Sequence, residues 1–98
     1  MSAPTVHLVY AAFEFCVPAA QCLKSKRKVV KSLKDRLASR FNASVAEVAC
    51  QDQWQRSVIG VAMLSNDKAY LDQQLEAIRR VFDGQGEAIL ANVEVEWL

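Results

Sequence analysis

Glycine and proline are scarce in this sequence, which has three Gly and two Pro among 98 residues. Collagen-like repeats and disordered low-complexity chains contain far more of both, so these classes are excluded. Apolar residues make up 52% of the chain and charged residues 23%, the composition of a globular protein. A chain of this length holds one hydrophobic core, and the sequence predicts a single domain over residues 1–98.

Cysteine and histidine are few, and their spacing suits neither a metal site nor a disulfide framework. Cys16, Cys22 and Cys50 include no CxxC pair, and His7 is the only histidine. Free thiols in a reducing compartment are the favoured interpretation. The apolar stretch of residues 6–20 has no basic segment before it and contains an acidic residue, so it is interpreted as a strand and not as a secretion signal. These features predict a cytoplasmic protein without a metal or cofactor.

A catalytic constellation is also lacking. His7 has no serine or cysteine at a spacing typical of a base and its nucleophile, and no GxxxxGK[ST] loop occurs. The glycines within residues 84–86 follow a predicted helix and are interpreted as a turn, because a dinucleotide-binding loop follows a strand. Glu94 and Glu96 lack further ligands for a hard cation, and they equally suit a basic patch on another subunit. The sequence therefore predicts a protein that is not an enzyme.

Charge is strongly segregated along the chain, although the formal net charge is only +1. Residues 24–40 contain eight Lys or Arg and one Asp, a net charge of +7, whereas the remaining residues have a net charge of −6. This separation predicts an anionic partner for the basic segment, or contact between oppositely charged parts of two copies.

The spacing of apolar residues predicts four strands and two helices. Leu23, Val30, Leu33 and Leu37 share one helical stripe, and the end of the chain alternates like a half-buried strand. One face of this last strand is predicted to hold Ile89, Ala91, Val93, Val95 and Trp97. The predicted strands cover residues 6–15, 44–50, 57–64 and 89–98, and the predicted helices cover residues 23–41 and 68–82.

This order of elements predicts a ferredoxin-like βαββαβ sandwich of the α+β class, in which two helices cover one face of a four-stranded antiparallel sheet. The third strand has no polar side chain over residues 58–64, whereas a solvated outer face would alternate with polar residues. An apolar patch extended by Leu8 and Tyr10 is therefore predicted on the face without helices. Such a patch indicates an interface, and we expect a homodimer through this face. The alternative is a loop that folds over the patch.

Cations crowd the predicted first helix, mostly in its first half. The helix dipole disfavours positive charge at this end, where each cation costs about 0.3 to 1 kcal/mol. Free backbone N–H groups, the dipole and several cationic side chains converge there, and this arrangement suits a phosphate. The alternative is a solvated face that serves only solubility. The residues of this helix that we predict to bind RNA or another anion are Lys24, Lys26, Arg27, Lys28, Lys31 and Lys34.

Trp54 and Arg56 complete the predicted binding set. An indole stacks on a nucleobase, and a guanidinium binds a phosphate. In the structural alternative, which is favoured for this pair, Trp54 covers the end of the sheet and Arg56 pairs with a carboxylate. Base stacking on the sheet itself is disfavoured, because residues 59–63 lack the aromatic side chains that RNA recognition motifs use.

Several short segments along the chain carry a resemblance that covers nearly its whole length. They include LKSKR (residues 23–27), KSLKDRL (31–37), QDQWQR (51–56) and EWL (96–98). As a set, they resemble the YlxP-like family of small bacterial domains, which implies a ferredoxin-like fold. The resemblance implies no activity, because the family is of unknown function. Its genes often lie near those of a translation initiation factor and a ribosome-binding factor, which favours a role linked to RNA. Two departures are Cys22, where relatives tend to carry a helix-capping serine, and Cys16, which replaces a polar residue.

Three hypotheses about function follow. The first is a non-enzymatic cytoplasmic module that binds RNA or the ribosome through the basic helix. The second is a homodimeric interaction domain whose basic helix docks on an acidic protein, and the third is a small-ligand regulatory domain that uses the dimer interface. If about four phosphates of a single strand are neutralised, a log-log plot of RNA affinity against salt is predicted to have a slope of about −3.

Overall fold

The computed structural model describes residues 3–98, so the first two residues of the predicted domain lie outside the described part of the chain. The elements follow in the predicted order, and the predicted boundaries differ from the observed ones by no more than one residue at each end. They are β1 (His7–Cys16), α1 (Leu23–Arg40), β2 (Ser44–Ala49), β3 (Arg56–Ser65), α2 (Lys68–Asp83) and β4 (Ile89–Trp97).

The four strands form one antiparallel sheet in the order β2-β3-β1-β4. The central strands β1 and β3 pair along their full length, from His7 opposite Ser65 to Cys16 opposite Arg56. The strands β2 and β4 form the two edges, and α1 and α2 pack on one face of the sheet. This is the predicted ferredoxin-like arrangement, which the structure confirms.

The hydrophobic core lies between the helices and the sheet. Phe13 and Phe15 of β1 are buried and pack against Phe82 of α2, with ring centroids 5.1 and 5.4 Å from that of Phe82. Leu33 and Leu37 of α1 are fully buried in the same core. The apolar stripe predicted for α1 therefore faces the sheet, as its spacing of three and four residues requires.

The two helices begin differently. Asp67 precedes α2, and its carboxylate accepts a hydrogen bond from the backbone N–H of Tyr70 at 3.3 Å. Cys22 precedes α1 and forms no such bond with a backbone N–H of the first turn. Instead, the Ser25 hydroxyl donates to the Cys22 backbone carbonyl at 3.0 Å. The weak cap that the sequence predicts at Cys22 is confirmed, because a thiol is a poor acceptor for backbone N–H groups.

The predicted alternation of β4 is wrong at the start of the strand. Leu90 and Asn92 pair with neighbouring residues of β1, so Ala91 is an extra residue without a partner in the register. This β-bulge turns Leu90 toward the core and leaves Ile89 60% exposed. Beyond the bulge, pairing with β1 is regular and the predicted alternation holds.

The face of the sheet without helices is called the open face, and it carries an apolar patch beside the charged side chains of Glu14, Arg56, Glu94 and Glu96. Leu64 of β3 is 67% exposed and Val48 of β2 is 46% exposed, so no loop among residues 3–98 covers these side chains. The Tyr10 ring lies across Gly60, where an added Cβ would stand 2.9 Å from both Tyr10 Cε1 and Val48 Cγ1. The two central strands contribute Leu8, Tyr10, Ala12, Val58, Gly60, Ala62 and Leu64 to the open face.

Candidate nucleic-acid interface

Five cations of α1 form a patch on the outer side of the helix, which we call the basic surface. Only Lys31 has an acidic partner among the described residues: its Nζ lies 2.7 Å from the Asp35 carboxylate. Both side chains of this pair are more than 60% exposed. Such a pair contributes at most about 0.5 kcal/mol, so an incoming anion competes with Asp35 easily. The basic surface consists of Lys24, Arg27, Lys28, Lys31 and the half-buried Lys34.

Lys26 does not belong to this surface, contrary to the prediction. Its side chain is fully buried, and its Nζ lies 2.7 Å from Glu47 Oε2, 2.8 Å from the Cys50 carbonyl oxygen and 3.4 Å from the Gln51 carbonyl oxygen. An ammonium group has three N–H donors, and all three are used here. Lys26 therefore has no hydrogen to donate to an external phosphate, and it is removed from the predicted binding set.

The buried ammonium connects three elements. Glu47 lies on β2, and its Oε2 also accepts a hydrogen bond from the Ser57 hydroxyl of β3 at 2.5 Å. Burial would raise the pKa of Glu47, but hydrogen bonds from Lys26 and Ser57 and the charge of Lys26 outweigh it and lower the pKa. Glu47 is thus an ionised carboxylate that holds α1 against the β2–β3 hairpin.

The loop between β2 and β3 is attached to the segment that leads into α1. Gln55 Nε2 donates to the backbone carbonyls of Pro18 and Ala20, each at 3.2 Å, and the Val17 N–H donates to the Gln55 carbonyl at 2.8 Å. Trp54 lies in this loop and is 55% exposed. Its indole is therefore not a buried cover for the sheet, and it stands in the loop tied to the entry of α1.

Arg56 is occupied by a different partner. Its Nη2 lies 2.9 and 3.0 Å from the two carboxylate oxygens of Glu14, and this contact raises the pKa of Arg56. Arg56 pairs in register with Cys16, and Ser57 beside it faces the helices, so the guanidinium lies on the open face. The structural alternative for Arg56 is the one found, and the sheet separates this residue from the basic surface.

The first turn of α1 leaves its backbone N–H groups without a side-chain cap. The exposed thiol of Cys22 lies 3.6 Å from the Ser25 hydroxyl. The nearby backbone N–H of Ser25, and then its hydroxyl, favour the thiolate form and lower the pKa of Cys22. These N–H groups and the neighbouring Lys24 form the end of the basic surface where the helix dipole favours an anion.

Residues 3–98 contain no group of three or more His, Cys, Asp or Glu side chains close enough to hold a metal ion. No helix in this range is long and apolar enough to span a membrane. The three thiols form no disulfide.

The burial of Lys26 can be read from its spacing relative to the apolar residues of α1. It lies three residues after Leu23, four before Val30 and seven before Leu33, which places it on the apolar stripe itself. A cation on that stripe requires a buried acceptor, and Glu47 is the acidic residue on the following strand. Composition alone does not distinguish Lys26 from the cations beside it in the sequence, because those neighbouring cations are exposed.

Known structures support the fold. The designed protein Foldit4 superposes with a TM-score of 0.53 at 17% identity, covering 93% of this chain and 96% of the design. The crystal structure of PA3566 from Pseudomonas aeruginosa gives 0.54 at 14% identity, covering 99% and 96%. A designed protein described as having a ferredoxin fold, LFR1 1, gives 0.50 at 11% identity, covering 93% and 82%. At these identities the likeness shows the fold alone.

Sequence comparison identifies the family. The chain is 31% identical over 88 residues to the uncharacterized protein YlxP of Bacillus subtilis strain 168, covering 90% of this chain and 96% of that protein. The model of the family described as "Protein of unknown function (DUF503)" matches residues 8–95. The YlxP-like resemblance is confirmed, and the chain belongs to the DUF503 family.

Proposed function

We propose that this protein is a non-enzymatic cytoplasmic module that binds the phosphates of RNA, or an RNA-rich surface of the ribosome, through the basic surface of α1. The observation that carries the proposal is the crowding of five cations on one exposed side of a single helix, with one weak acidic partner among them. Solvated surfaces commonly intersperse both charge signs. Free thiols suit the reducing cytoplasm.

The arrangement is unfavourable for the isolated protein. Lys24 and Lys28, and likewise Arg27 and Lys31, are four residues apart and repel each other by about 0.2 to 0.5 kcal/mol per pair. Cations near a helix N-terminus also oppose the dipole. A bound phosphate removes both penalties, because it interacts favourably with the side chains and with the uncapped N–H groups. Trp54, held in the loop beside the entry to α1, supplies a surface for one base.

The salt dependence of RNA binding tests this proposal. Fluorescently labelled, mixed-sequence single-stranded RNA is titrated with the protein at several salt concentrations, and affinity is plotted logarithmically against salt. Four neutralised phosphates give a slope of about −3. A double-stranded DNA of equal length and a neutral peptide-nucleic-acid strand serve as controls for charge and backbone. A slope near zero, or binding of the neutral strand with equal affinity, contradicts the proposal.

A second candidate is self-association through the open face. Its motivation is the exposure of Leu64 and Val48 beside Tyr10, in a part of the sheet where Ala12, Gly60 and Ala62 are small. One face of a sheet of four strands about 4.8 Å apart has an area of roughly 500 to 600 Å². Two such faces approach the lower limit of a stable interface. Face-to-face packing of two sheets is a common way to bury an apolar face.

The oligomeric state tests this candidate. Analytical ultracentrifugation over a micromolar to millimolar protein range is expected to show a monomer–dimer equilibrium. Leu64→Glu is expected to weaken the affinity of dimerisation by roughly 10-fold or more, because it buries a carboxylate against the partner sheet. Tyr70→Glu is the matched control, since Tyr70 is 46% exposed on α2, on the opposite side of the sheet. A monomer at every concentration would remove self-association from consideration.

A further inference from the structure

The outer edge of β4 is open to another strand. β4 is the last strand of the sheet and pairs with β1 on one side only, so alternate N–H and C=O groups along its other side have no strand partner among the described residues. An unpaired edge of this length is a template for an added strand.

A groove runs beside this edge on the helix side of the sheet. Its volume is about 410 Å³, and its floor is formed by Phe13, Leu75, Val93 and Val95. Val93 and Val95 pair with Phe13 and Ala11 of β1 and therefore face the helices, yet Val95 is 46% exposed. α2 leaves this part of β4 uncovered. A strand added to β4 would place every second side chain over the groove.

The opposite side of the same edge is acidic. Glu94 and Glu96 pair in register with Ala12 and Tyr10, so both carboxylates lie on the open face. Along β4, apolar side chains facing the groove thus alternate with carboxylates facing the other side. The outer wall of the groove adds Asp72 and Glu76 of α2, with Arg79 as its one cation.

We propose that the β4 edge and the α2–β4 groove bind an extended segment of a partner protein in which apolar residues alternate with Lys or Arg. The segment adds as a fifth strand. Its apolar side chains fill the groove beside Val93 and Val95, and its cations lie directly across from Glu94 and Glu96, where opposite charges form favourable cross-strand pairs.

Charge selects this occupant over two others. In an antiparallel pairing of β4 with β4 of a second copy centred on Val95, Glu94 of each chain opposes Glu96 of the other, and like charges directly across a ladder are destabilising. A nucleic acid is repelled by the same carboxylates. The acidic residues therefore disfavour self-pairing in that register while they attract a basic strand.

Peptides of defined sequence test the proposal. A fluorescein-labelled Lys-Val-Lys-Val-Lys-Val peptide is titrated with the full chain by anisotropy, beside Glu-Val and Lys-Ser peptides of equal length. We expect the Lys-Val peptide to bind at least about 10-fold more tightly than either control peptide. The Glu-Val peptide places like charges across from the carboxylates of β4, and the Lys-Ser peptide has no apolar side chains to fill the groove. Equal affinity for the Lys-Val and Glu-Val peptides would overturn the proposal.

A pair of variants assigns the binding to this edge. Glu94→Lys/Glu96→Lys is expected to reverse the preference in favour of the Glu-Val peptide. Asp52→Lys/Asp83→Lys makes the same change in net charge at exposed positions away from β4 and is expected to leave the preference unchanged. If both double variants weaken the Lys-Val peptide equally, its binding is nonspecific and the proposal is wrong.

Hydrogen exchange separates strand addition from simple charge attraction. Binding of the Lys-Val peptide is expected to slow exchange at alternate amides of β4, those that point away from β1, while the edge amides of β2 remain unchanged. Protection at β2, or no protection at β4, contradicts the proposal, as does a β4-mediated dimer of the free protein. The basic surface takes no part, so variants that abolish RNA binding are expected to bind the peptide normally.

Discussion

Replacing Lys26 with methionine is expected to lower the free energy of unfolding by about 3 kcal/mol, the lower end of the cost of breaking a buried ion pair. Methionine matches the length of the lysine stem but leaves the carboxylate of Glu47 beside an apolar neighbour, and the carbonyls of Cys50 and Gln51 lose their donor. Since small domains are stable by roughly 5 to 15 kcal/mol, the change is large. Urea unfolding monitored by circular dichroism measures it.

Two variants isolate the cause. Lys28→Met makes the same substitution two residues along the helix at an exposed position and is expected to change stability by no more than about 0.5 kcal/mol. Lys26→Met/Glu47→Met removes both charges and is expected to recover part of the loss, because the uncompensated carboxylate is the largest penalty in the single variant. Wild-type stability of Lys26→Met would show that the buried ammonium contributes little.

Reversing two charges of the basic surface is expected to weaken RNA binding by about 30-fold near 0.1 M salt. Lys24→Glu/Lys28→Glu removes two phosphate contacts, which also brings the salt slope from about −3 to about −1.5. Acidic residues near a helix N-terminus interact favourably with the dipole, so the variant should be at least as stable as the original protein. Loss of affinity then cannot result from unfolding.

The matched control lies on the same helix. Arg36→Glu/Arg40→Glu makes the same change in net charge at exposed positions outside the basic surface. Its RNA affinity is expected to stay within about 3-fold of wild type once the salt concentration is high enough to screen distant charges. If both double variants lose affinity equally, net charge and not the basic surface governs binding. If neither loses affinity, α1 is a solvated face.

The roles of Lys26 and of the basic surface explain how one cationic segment serves two purposes. Lys26 points inward and joins α1 to Glu47 of the hairpin, whereas Lys24 and Lys28 on either side point outward. The inward contact also positions the loop that carries Trp54, because Lys26 binds the Cys50 carbonyl at the start of this loop. Loss of Lys26 is therefore expected to disturb the presentation of Trp54 without removing a phosphate contact.

Local pattern was enough to predict the elements and much of the core. Spacing of three and four residues along α1 and unbroken apolar composition along β3 are properties of neighbours in the chain, so they are visible in sequence. The candidate site was only partly predictable for the same reason. The charge density of residues 24–34 is local, but whether one of these cations is buried depends on Glu47, which lies 21 residues from Lys26.

The amino-acid sequence by itself determined the order of strands and helices, the apolar patch of β3 on the open face and the position of the basic helix, because these follow from short-range periodicity and composition. Only the tertiary structure decided which cations are free. Arg56 is held by Glu14, 42 residues away, and the bulge at Ala91 turns Leu90, and not Ile89, toward the core. Ion pairs and strand register join residues distant in the chain, so their outcome depends on the packed arrangement and not on any local pattern.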